Sequence, residues 1–251
     1  MSTIESTRDS SFLTLSINRP PVNALDHDTI LSLLDALKNA SDDETIRCIV
    51  LTGSRQVFCA GHDINEMLVG QSQKISYQEH LQQTYNPLIL QIRNTPKPII
   101  ASINGPVAGA GLGIALACDL RIASDNAHFT VGFAGIGLIP DSGVSLFLPL
   151  LVGLGRAAEL SFTNATIPAK QALEWGLINK LTTFEQLAAE TAYYAARLAD
   201  GPTVTYGLSK KAYNQSILPN LETVLNNEAD LQEKASQGEE HRQGIKSFLK
   251  R

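Results

Sequence analysis

The chain of 251 residues has the composition of an ordinary globular protein, with 43% hydrophobic and 18% charged residues, and it is long enough to bury a large core. Its net charge of −5 gives no electrostatic basis for binding nucleic acid. The longest apolar run, residues 144–154, is interrupted by Pro149 and is too short to span a bilayer, so no membrane partner is expected. Three cysteines without a CxxC pair, and a start without an apolar signal segment, predict a cytoplasmic protein.

Strand-like and helix-like segments alternate over residues 12–135. Apolar and β-branched runs predict strands at residues 12–17, 46–51, 99–103, 120–122 and 127–130. Apolar residues at helical spacing predict a helix after Asp26, which is placed to cap it, and another over residues 78–93, which Thr95 and Pro96 end. This alternation is typical of the α/β class.

Helices dominate beyond residue 154. Helical patterns predict elements at residues 155–163, 168–175, 184–198, 202–216 and 221–235. One short strand, residues 178–181, interrupts them. A helical C-terminal portion is therefore expected.

A glycine-rich turn, residues 105–119, follows the predicted strand at 99–103 and leads into an apolar helix-like run. Small residues allow a helix N-terminus to approach a ligand with free backbone N–H groups pointing towards it. Such a terminus suits an anion, including a charge that exists only during a reaction. A second small-residue turn, residues 58–63, follows another strand. Two N–H donors converging from these turns would form an oxyanion hole.

Two nucleotide-binding patterns do not fit the glycine-rich turn. A dinucleotide fingerprint is not matched, because Ile114 stands where the third glycine belongs, and His128 and Phe129 stand where the acid is expected. The phosphate-binding Walker pattern is absent, because no Gly-Lys-Ser/Thr follows. The pattern alone leaves open that the glycines only permit tight helix packing.

Together with residues 58–67 (FCAGHDINEM), the glycine-rich turn resembles the crotonase, or enoyl-CoA hydratase/isomerase, superfamily. Residues 18–25 (NRPPVNAL), 51–53 (LTG), 97–105 (KPIIASING) and 174–178 (EWGLI) resemble further family segments, so that the likeness covers nearly the whole chain. The resemblance implies an α/β spiral of ββα units over residues 1–195 and a helical trimerisation region over residues 196–251. It also implies an acyl-CoA thioester as ligand, a homotrimer or hexamer, and no metal or redox cofactor beyond the CoA of the substrate.

The same resemblance assigns roles to residues of the two turns. It implies that the backbone N–H groups of His62 and Ala110 hold the thioester oxygen, and that residues 63–65 contact the adenine side of CoA. The substrate and CoA contacts that it implies are Ala60, Gly61, Asp63, Ile64, Asn65, Gly109 and Phe133. Phe248 and Arg251 match positions at which a neighbouring subunit's tail touches CoA in some relatives.

Two departures from the family pattern bear on the reaction. Typical hydratases place two glutamates around the substrate, and the matching positions here are Gly113 and Phe133. Without those carboxylates, no obvious group activates water. Asp141 appears instead, in residues 137–141 (GLIPD), and this resembles the isomerase branch, most closely the isomerases of phenylacetate catabolism, followed by monofunctional enoyl-CoA isomerases.

These observations predict an acyl-CoA double-bond isomerase that acts through a thioester enolate, with Asp141 as the proton shuttle. An apolar wall including Phe133 and Ile136 is expected to raise the pKa of Asp141. A hydratase or another crotonase-type lyase is the alternative, followed by an acyl-CoA binding protein without activity. Locally, Asp141 between Pro140 and Ser142 is also a plausible cap of a turn. The side chain of His62 is expected only to line the pocket, and the remaining histidines show no metal-ligand spacing, which favours solvent or packing roles for His27, His80, His128 and His241.

Overall fold

The computed structural model describes residues 3–73 and 76–249, which form a mixed α/β protein. The strands are β1 Ile4–Asp9, β2 Phe12–Ile17, β3 Cys48–Gly53, β4 Ile99–Ile103, β5 Val107–Ala108, β6 Leu120–Ser124, β7 His128–Thr130, β8 Thr166–Pro168 and β9 Lys180–Thr182. The helices are α1 His27–Asp42, α2 Ile64–Gln73, α3 Tyr77–Gln83, α4 Tyr85–Asn94, α5 Ala110–Ala117, α6 Val144–Val152, α7 Leu154–Thr163, α8 Ala169–Glu174, α9 Phe184–Asp200, α10 Thr203–Ile217, α11 Leu221–Ser236 and α12 Glu239–Phe248. A 3-10 turn covers Ala134–Ile136.

The larger sheet has the strand order β1-β2-β3-β4-β6-β9 and is parallel except for the β1–β2 hairpin. Every residue of β4 is buried, as are all but one of β3, because helices cover both faces of the sheet. This explains why these strands are continuous apolar runs and not alternating ones. Strand β1 was not predicted, because it lies at the edge of the sheet and its residues are mostly polar and exposed, without the apolar run that indicates a strand.

A smaller sheet, with the order β5-β7-β8, lies beside the larger one. The chain goes from β4 in the larger sheet to β5 in the smaller sheet and then enters α5. It repeats this step from β6 to β7 before the 3-10 turn. This strand–strand–helix repetition is the predicted ββα spiral, and it brings the loops after β3 and β4 to one end of the molecule.

One helix prediction requires correction, and one helix was not predicted. The single helix expected over residues 78–93 is two helices, α3 and α4, because Thr84 leaves the helical conformation at φ −124° and ψ −80°. The apolar run at residues 144–154 contains helix α6 despite Pro149, and Gly153 then separates it from α7. The predicted cap at Asp26 is confirmed, because its side chain accepts a hydrogen bond from the backbone N–H of Thr29 at 2.9 Å.

The C-terminal helices fold back over the body of the same chain. Helix α11 packs against α3, α4 and α6, and α12 packs against the 3-10 turn. The expected boundary between residues 195 and 196 falls inside α9, which packs on the larger sheet, and the division of the chain at that point stays a prediction. Arg251 lies outside the described residues. Among the helices that the structure describes, none is long and apolar enough to cross a membrane.

Candidate active site

Two loops meet where the glycine-rich segments were predicted to converge. Gly61 has φ +95° and Gly109 has φ +55°, conformations that L side chains rarely adopt. A Cβ atom added to Gly61 would lie 3.0 Å from the carbonyl oxygen of Ala108 and 3.4 Å from the amide nitrogen of Ala110. A parallel bridge between Cys59 and Val107 holds the loops together. The glycines are therefore needed for the close approach of the two backbones.

The amide groups of His62 and Ala110 lie on either side of this contact. The bridge between Leu25 and His62 uses the neighbouring groups: Leu25 N–H donates to Gly61 O at 2.7 Å, and Asp63 N–H donates to Leu25 O at 2.9 Å. Ala110 begins α5, so its N–H has no partner inside the helix. Over residues 3–73 and 76–249, neither the His62 nor the Ala110 amide has a protein acceptor. Both donors are thus available to a ligand.

A cavity of about 590 Å³ opens in front of these amides. Most of the predicted site residues line it: Ala60, Gly61, His62, Ile64, Gly109, Ala110, Phe133 and Asp141. Its apolar wall includes Ile136 and Leu138, and Phe248 of the same chain's α12 also faces it. This volume is in the usual range of small-molecule sites.

Asp63 and Asn65 lie away from that cavity wall. Asp63 pairs with Arg19, its Oδ2 atom 2.6 Å from Nη2, and its Oδ1 atom accepts a hydrogen bond from Asn65 N–H at 2.8 Å. These bonds hold the pKa of Asp63 below its usual value against the opposing effect of burial. The Asn65 side chain is exposed. Asp63 and Asn65 thus organise the start of α2, and the contact of these two residues with CoA stays a prediction.

Asp141 lies in the cavity wall with only 6% of its surface exposed. Its Oδ1 atom accepts a hydrogen bond from the Ser142 hydroxyl at 2.8 Å, and its Oδ2 atom accepts one from the Gln232 amide at 2.6 Å. Burial raises the pKa of Asp141 to about 6, while the two hydrogen bonds act in the opposite direction. A carboxyl group with this pKa exchanges protons near neutral pH.

The turn that carries Asp141 is pressed against α5. Ser142 has φ +54° and Gly143 has φ +79°, and Ser142 is fully buried. A Cβ atom added to Gly113 would lie 2.5 Å from the carbonyl oxygen and 2.8 Å from the Cβ atom of Ser142. Any side chain at residue 113 would therefore displace this turn.

The His62 side chain belongs to a cluster of polar groups on another part of the wall. Its Nδ1 atom is hydrogen-bonded to the Tyr85 hydroxyl at 3.1 Å, and its Nε2 atom lies 3.4 Å from a carboxylate oxygen of Glu66. Burial lowers the pKa of His62 to about 3, so the imidazole is neutral. Burial also raises the pKa of Tyr85 well above its usual value, which keeps the phenol protonated.

Several residues of the wall were not predicted as site residues from the sequence. His27, Glu66, His80, Tyr85 and Gln232 line the cavity, although they come from separate elements. The solvent or packing roles expected for His27 and His80 are thus incomplete, and burial lowers the pKa of His80 to about 4. Their side chains gather only in three dimensions, so spacing along the chain carried no signal. In the part of the chain that the structure describes, no group of three or more His, Cys, Asp or Glu side chains could hold a metal ion.

The chain is similar to known proteins over nearly its whole length. A family model described as enoyl-CoA hydratase/isomerase matches residues 7–251. A 1,2-epoxyphenylacetyl-CoA isomerase of Escherichia coli (strain K12) is 37% identical over 245 residues, which cover 96% of this chain and 93% of that protein. A crotonyl-CoA hydratase of Syntrophomonas wolfei subsp. wolfei (strain DSM 2245B / Goettingen) is 33% identical over 248 residues, covering 97% and 94%. The crystal structure of an enoyl-CoA hydratase from Mycobacterium avium subsp. paratuberculosis K-10 matches with a TM-score of 0.89 and 31% identity, covering 99% of this chain and 96% of that one.

Proposed function

The chain belongs to the enoyl-CoA hydratase/isomerase family, and from that premise we propose that it is an acyl-CoA double-bond isomerase with Asp141 as its proton shuttle. The family and its crotonase-type α/β fold were both predicted from the sequence and are confirmed. Relatives named as isomerases and as hydratases have similar identity to this chain. The choice between the two reactions therefore rests on the geometry of the cavity.

The oxyanion hole supplies the first part of the mechanism. The thioester carbonyl oxygen accepts hydrogen bonds from the His62 and Ala110 amides, which have no protein acceptor among the described residues. Loss of a proton from C2 places negative charge on that oxygen, and fixed N–H donors stabilise the charged state more than the neutral one. Removing one such donor costs about 2.7–4 kcal/mol in other enzymes.

Asp141 supplies the proton transfer. Its carboxylate takes the C2 proton from a 3-enoyl thioester, which gives a dienolate, and it returns that proton to C4, which gives the conjugated 2-enoyl product. One carboxylate serves both carbons when they lie on the same side of it. The pKa of about 6, raised by burial, supports this role, because the base then binds and releases a proton with little bias near neutral pH. The reaction needs no cofactor besides the CoA carried by the substrate.

The close approach of Gly113 to Ser142 is the observation that carries the choice of isomerase over hydratase. Residue 113 is the position that matches the first glutamate of typical hydratases. A glutamate there would bring its Cβ atom to 2.5 Å from the Ser142 carbonyl oxygen. The turn that places Asp141 in the cavity and a side chain at residue 113 thus exclude each other. This supports a site built for Asp141 and not for two glutamates holding a water.

A parallel product assay tests the proposal. Trans-3-hexenoyl-CoA and crotonyl-CoA are supplied to the wild type and to Asp141→Asn, and products are identified by mass spectrometry and by absorbance of the conjugated thioester. We expect the wild type to convert the first substrate to a 2-enoyl product, and the variant to be slower by roughly 10²–10⁴-fold. Hydration of crotonyl-CoA that is indifferent to the substitution would refute the isomerase proposal.

A homo-oligomer, either a trimer or a hexamer, is part of the same proposal. Four large apolar side chains of α7 and α10 are between 63% and 82% exposed in the single chain: Leu154, Phe162, Val204 and Leu208. Apolar side chains of this exposure support burial against other copies. Size-exclusion chromatography with light scattering is expected to give three or six times the mass of the chain. A monomer would contradict the proposed assembly but not the proposed reaction.

A further inference from the structure

Helix α11 directs two buried polar side chains at the turn that carries Asp141. Glu228 and Gln232 are four residues apart, and therefore lie on the same face of the helix. Only 3% of Glu228 and 1% of Gln232 is exposed. Burying a carboxyl and an amide is costly unless their hydrogen bonds are made, so the partners of these two groups define what the helix does at the site.

The Gln232 amide has a fixed orientation. Its Oε1 atom accepts a hydrogen bond from Ile139 N–H at 3.0 Å, and its Nε2 atom donates to Ile139 O at 3.0 Å and to Asp141 Oδ2 at 2.6 Å. Both donor hydrogens are used, and the oxygen already has a backbone partner. The amide can therefore only donate to Asp141, which favours the carboxylate form and fixes the direction of the carboxylate plane.

Glu228 holds the other end of the same turn. Its carboxylate accepts hydrogen bonds from Gly143 N–H at 2.9 Å and from Ser145 N–H at 3.2 Å, and it is also bonded to the Ser145 hydroxyl. Gly143 precedes α6 and has no side chain that could cap the helix. Glu228 thus caps α6 from a different helix. The two successive left-handed residues, Ser142 and Gly143, are a conformation that requires such outside support.

We infer that Glu228 and Gln232 are positioning residues for Asp141: Gln232 aims its carboxylate into the cavity, and Glu228 anchors the turn that carries it. The catalytic meaning of this inference rests on the proposed function. Helix α11 is then part of the acid–base machinery of its own chain, in addition to any part that it takes in assembly.

Two ionisable groups in the described part of the chain face Asp141 and bear on how its pKa changes when a neighbour is substituted. Glu228 faces it from α11, and Tyr85 faces it from α4. Tyr85 stays neutral, because burial raises its pKa well above the usual value. Burial also raises the pKa of Glu228 to about 7, and the neighbouring Asp141 charge acts in the same direction. Glu228, whose pKa lies above that of Asp141, is still mostly protonated while Asp141 titrates, so its removal acts on Asp141 through the anchoring of the turn and not through charge. Loss of the Gln232 donor and loosening of the turn should therefore move the Asp141 pKa in opposite directions.

The test uses Gln232→Met, Glu228→Gln and the control Glu222→Gln, which neutralises an exposed carboxylate on the same helix. Carboxyl ¹³C NMR follows the titration of Asp141, whose signal is identified by its loss in Asp141→Asn, and kinetics follow the acid limb of kcat/KM. We expect Gln232→Met to raise the Asp141 pKa by about one unit, because the charged form loses a donor. Glu228→Gln is expected to lower it, because the amide replaces one of the two oxygens that accept backbone N–H groups of the turn, and a loosened turn exposes Asp141 to water and relieves the burial that raises its pKa. Glu222→Gln is expected to leave the Asp141 pKa unchanged.

An Asp141 titration that is unchanged in both folded variants, or that moves in the same direction in both, would overturn the inference. If Gln232→Met does not fold, Gln232→Asn withdraws the donor by one methylene and is judged by the same shift. The NMR titration does not depend on turnover. Opposite shifts in a protein without isomerase activity would therefore support the positioning by α11 and refute the proposed function, whereas isomerase activity without these shifts would do the reverse.

Discussion

Substitution of Gly113 by alanine tests whether the fold reserves the space beside α5 for the Asp141 turn. The added Cβ atom would lie 2.5 Å from the Ser142 carbonyl oxygen, whereas ordinary contact begins at 3.4 Å, so the turn must retreat by about 0.9 Å. Ser142 is fully buried, and its backbone is held in the left-handed region. The neighbouring structure therefore has little freedom to absorb the displacement.

The expected magnitudes follow from this displacement. Overpacking of a buried site costs roughly 1–3 kcal/mol, and the better helix propensity of alanine returns at most about 1 kcal/mol. We therefore expect the free energy of unfolding in urea to fall by about 1–2 kcal/mol. A displacement of about 1 Å at a reacting group costs on the order of 10²-fold in rate, so kcat/KM for trans-3-hexenoyl-CoA should fall by about that factor.

Gly155→Ala is the matched control. Gly155 is also helical, and a Cβ atom added there meets nothing within 4 Å. Alanine at residue 155 should leave kcat/KM unchanged and raise stability by up to about 1 kcal/mol. If Gly113→Ala behaves like this control in both measurements, the turn is not constrained by α5, and the steric argument against a hydratase glutamate fails.

Three further predictions concern charge and hydrogen bonding. Burial raises the pKa of Asp141 to about 6, and the base acts as the carboxylate. The value of kcat/KM should therefore be constant above about pH 6 and fall tenfold for each pH unit below it. A constant kcat/KM down to pH 4.5 would contradict Asp141 as the base. His62→Phe keeps the backbone donor but removes the partner of the buried Tyr85 hydroxyl. The free energy of unfolding in urea should therefore fall by about 1–3 kcal/mol, and kcat should fall less than tenfold. A loss of activity as large as that of Asp141→Asn would show that the imidazole takes part in catalysis. Asp119→Asn removes the carboxylate that lies 2.9 Å from the buried Lys210 ammonium group. The free energy of unfolding, measured in urea and by heating, should fall by about 3–5 kcal/mol, while the pH profile of kcat/KM stays the same. Unchanged stability would mean that the ion pair is dispensable.

Prediction from sequence was most successful where the signal is local. The strand at residues 12–17 was predicted with its observed bounds, and the cap at Asp26 and the long C-terminal helices were located within one or two residues. The break at Thr84 was missed, because the apolar stripe continues across it although Thr84 leaves the helical conformation. Asp141 was recognised through its likeness to a family segment, and its catalytic role is still a prediction.

The α/β class, the family and the glycines at which two backbones must approach could all be inferred from the sequence, because periodicity, turn chemistry and motif identity are properties of neighbouring residues. Which side chains share the cavity depends on contacts between segments that are remote in the chain. His80, Tyr85 and Gln232 come from three helices, and no spacing along the chain relates them to Asp141. The raised pKa of Asp141 and the exclusion of a side chain at Gly113 likewise depend on the tertiary structure, because burial and steric contact depend on distances between such segments.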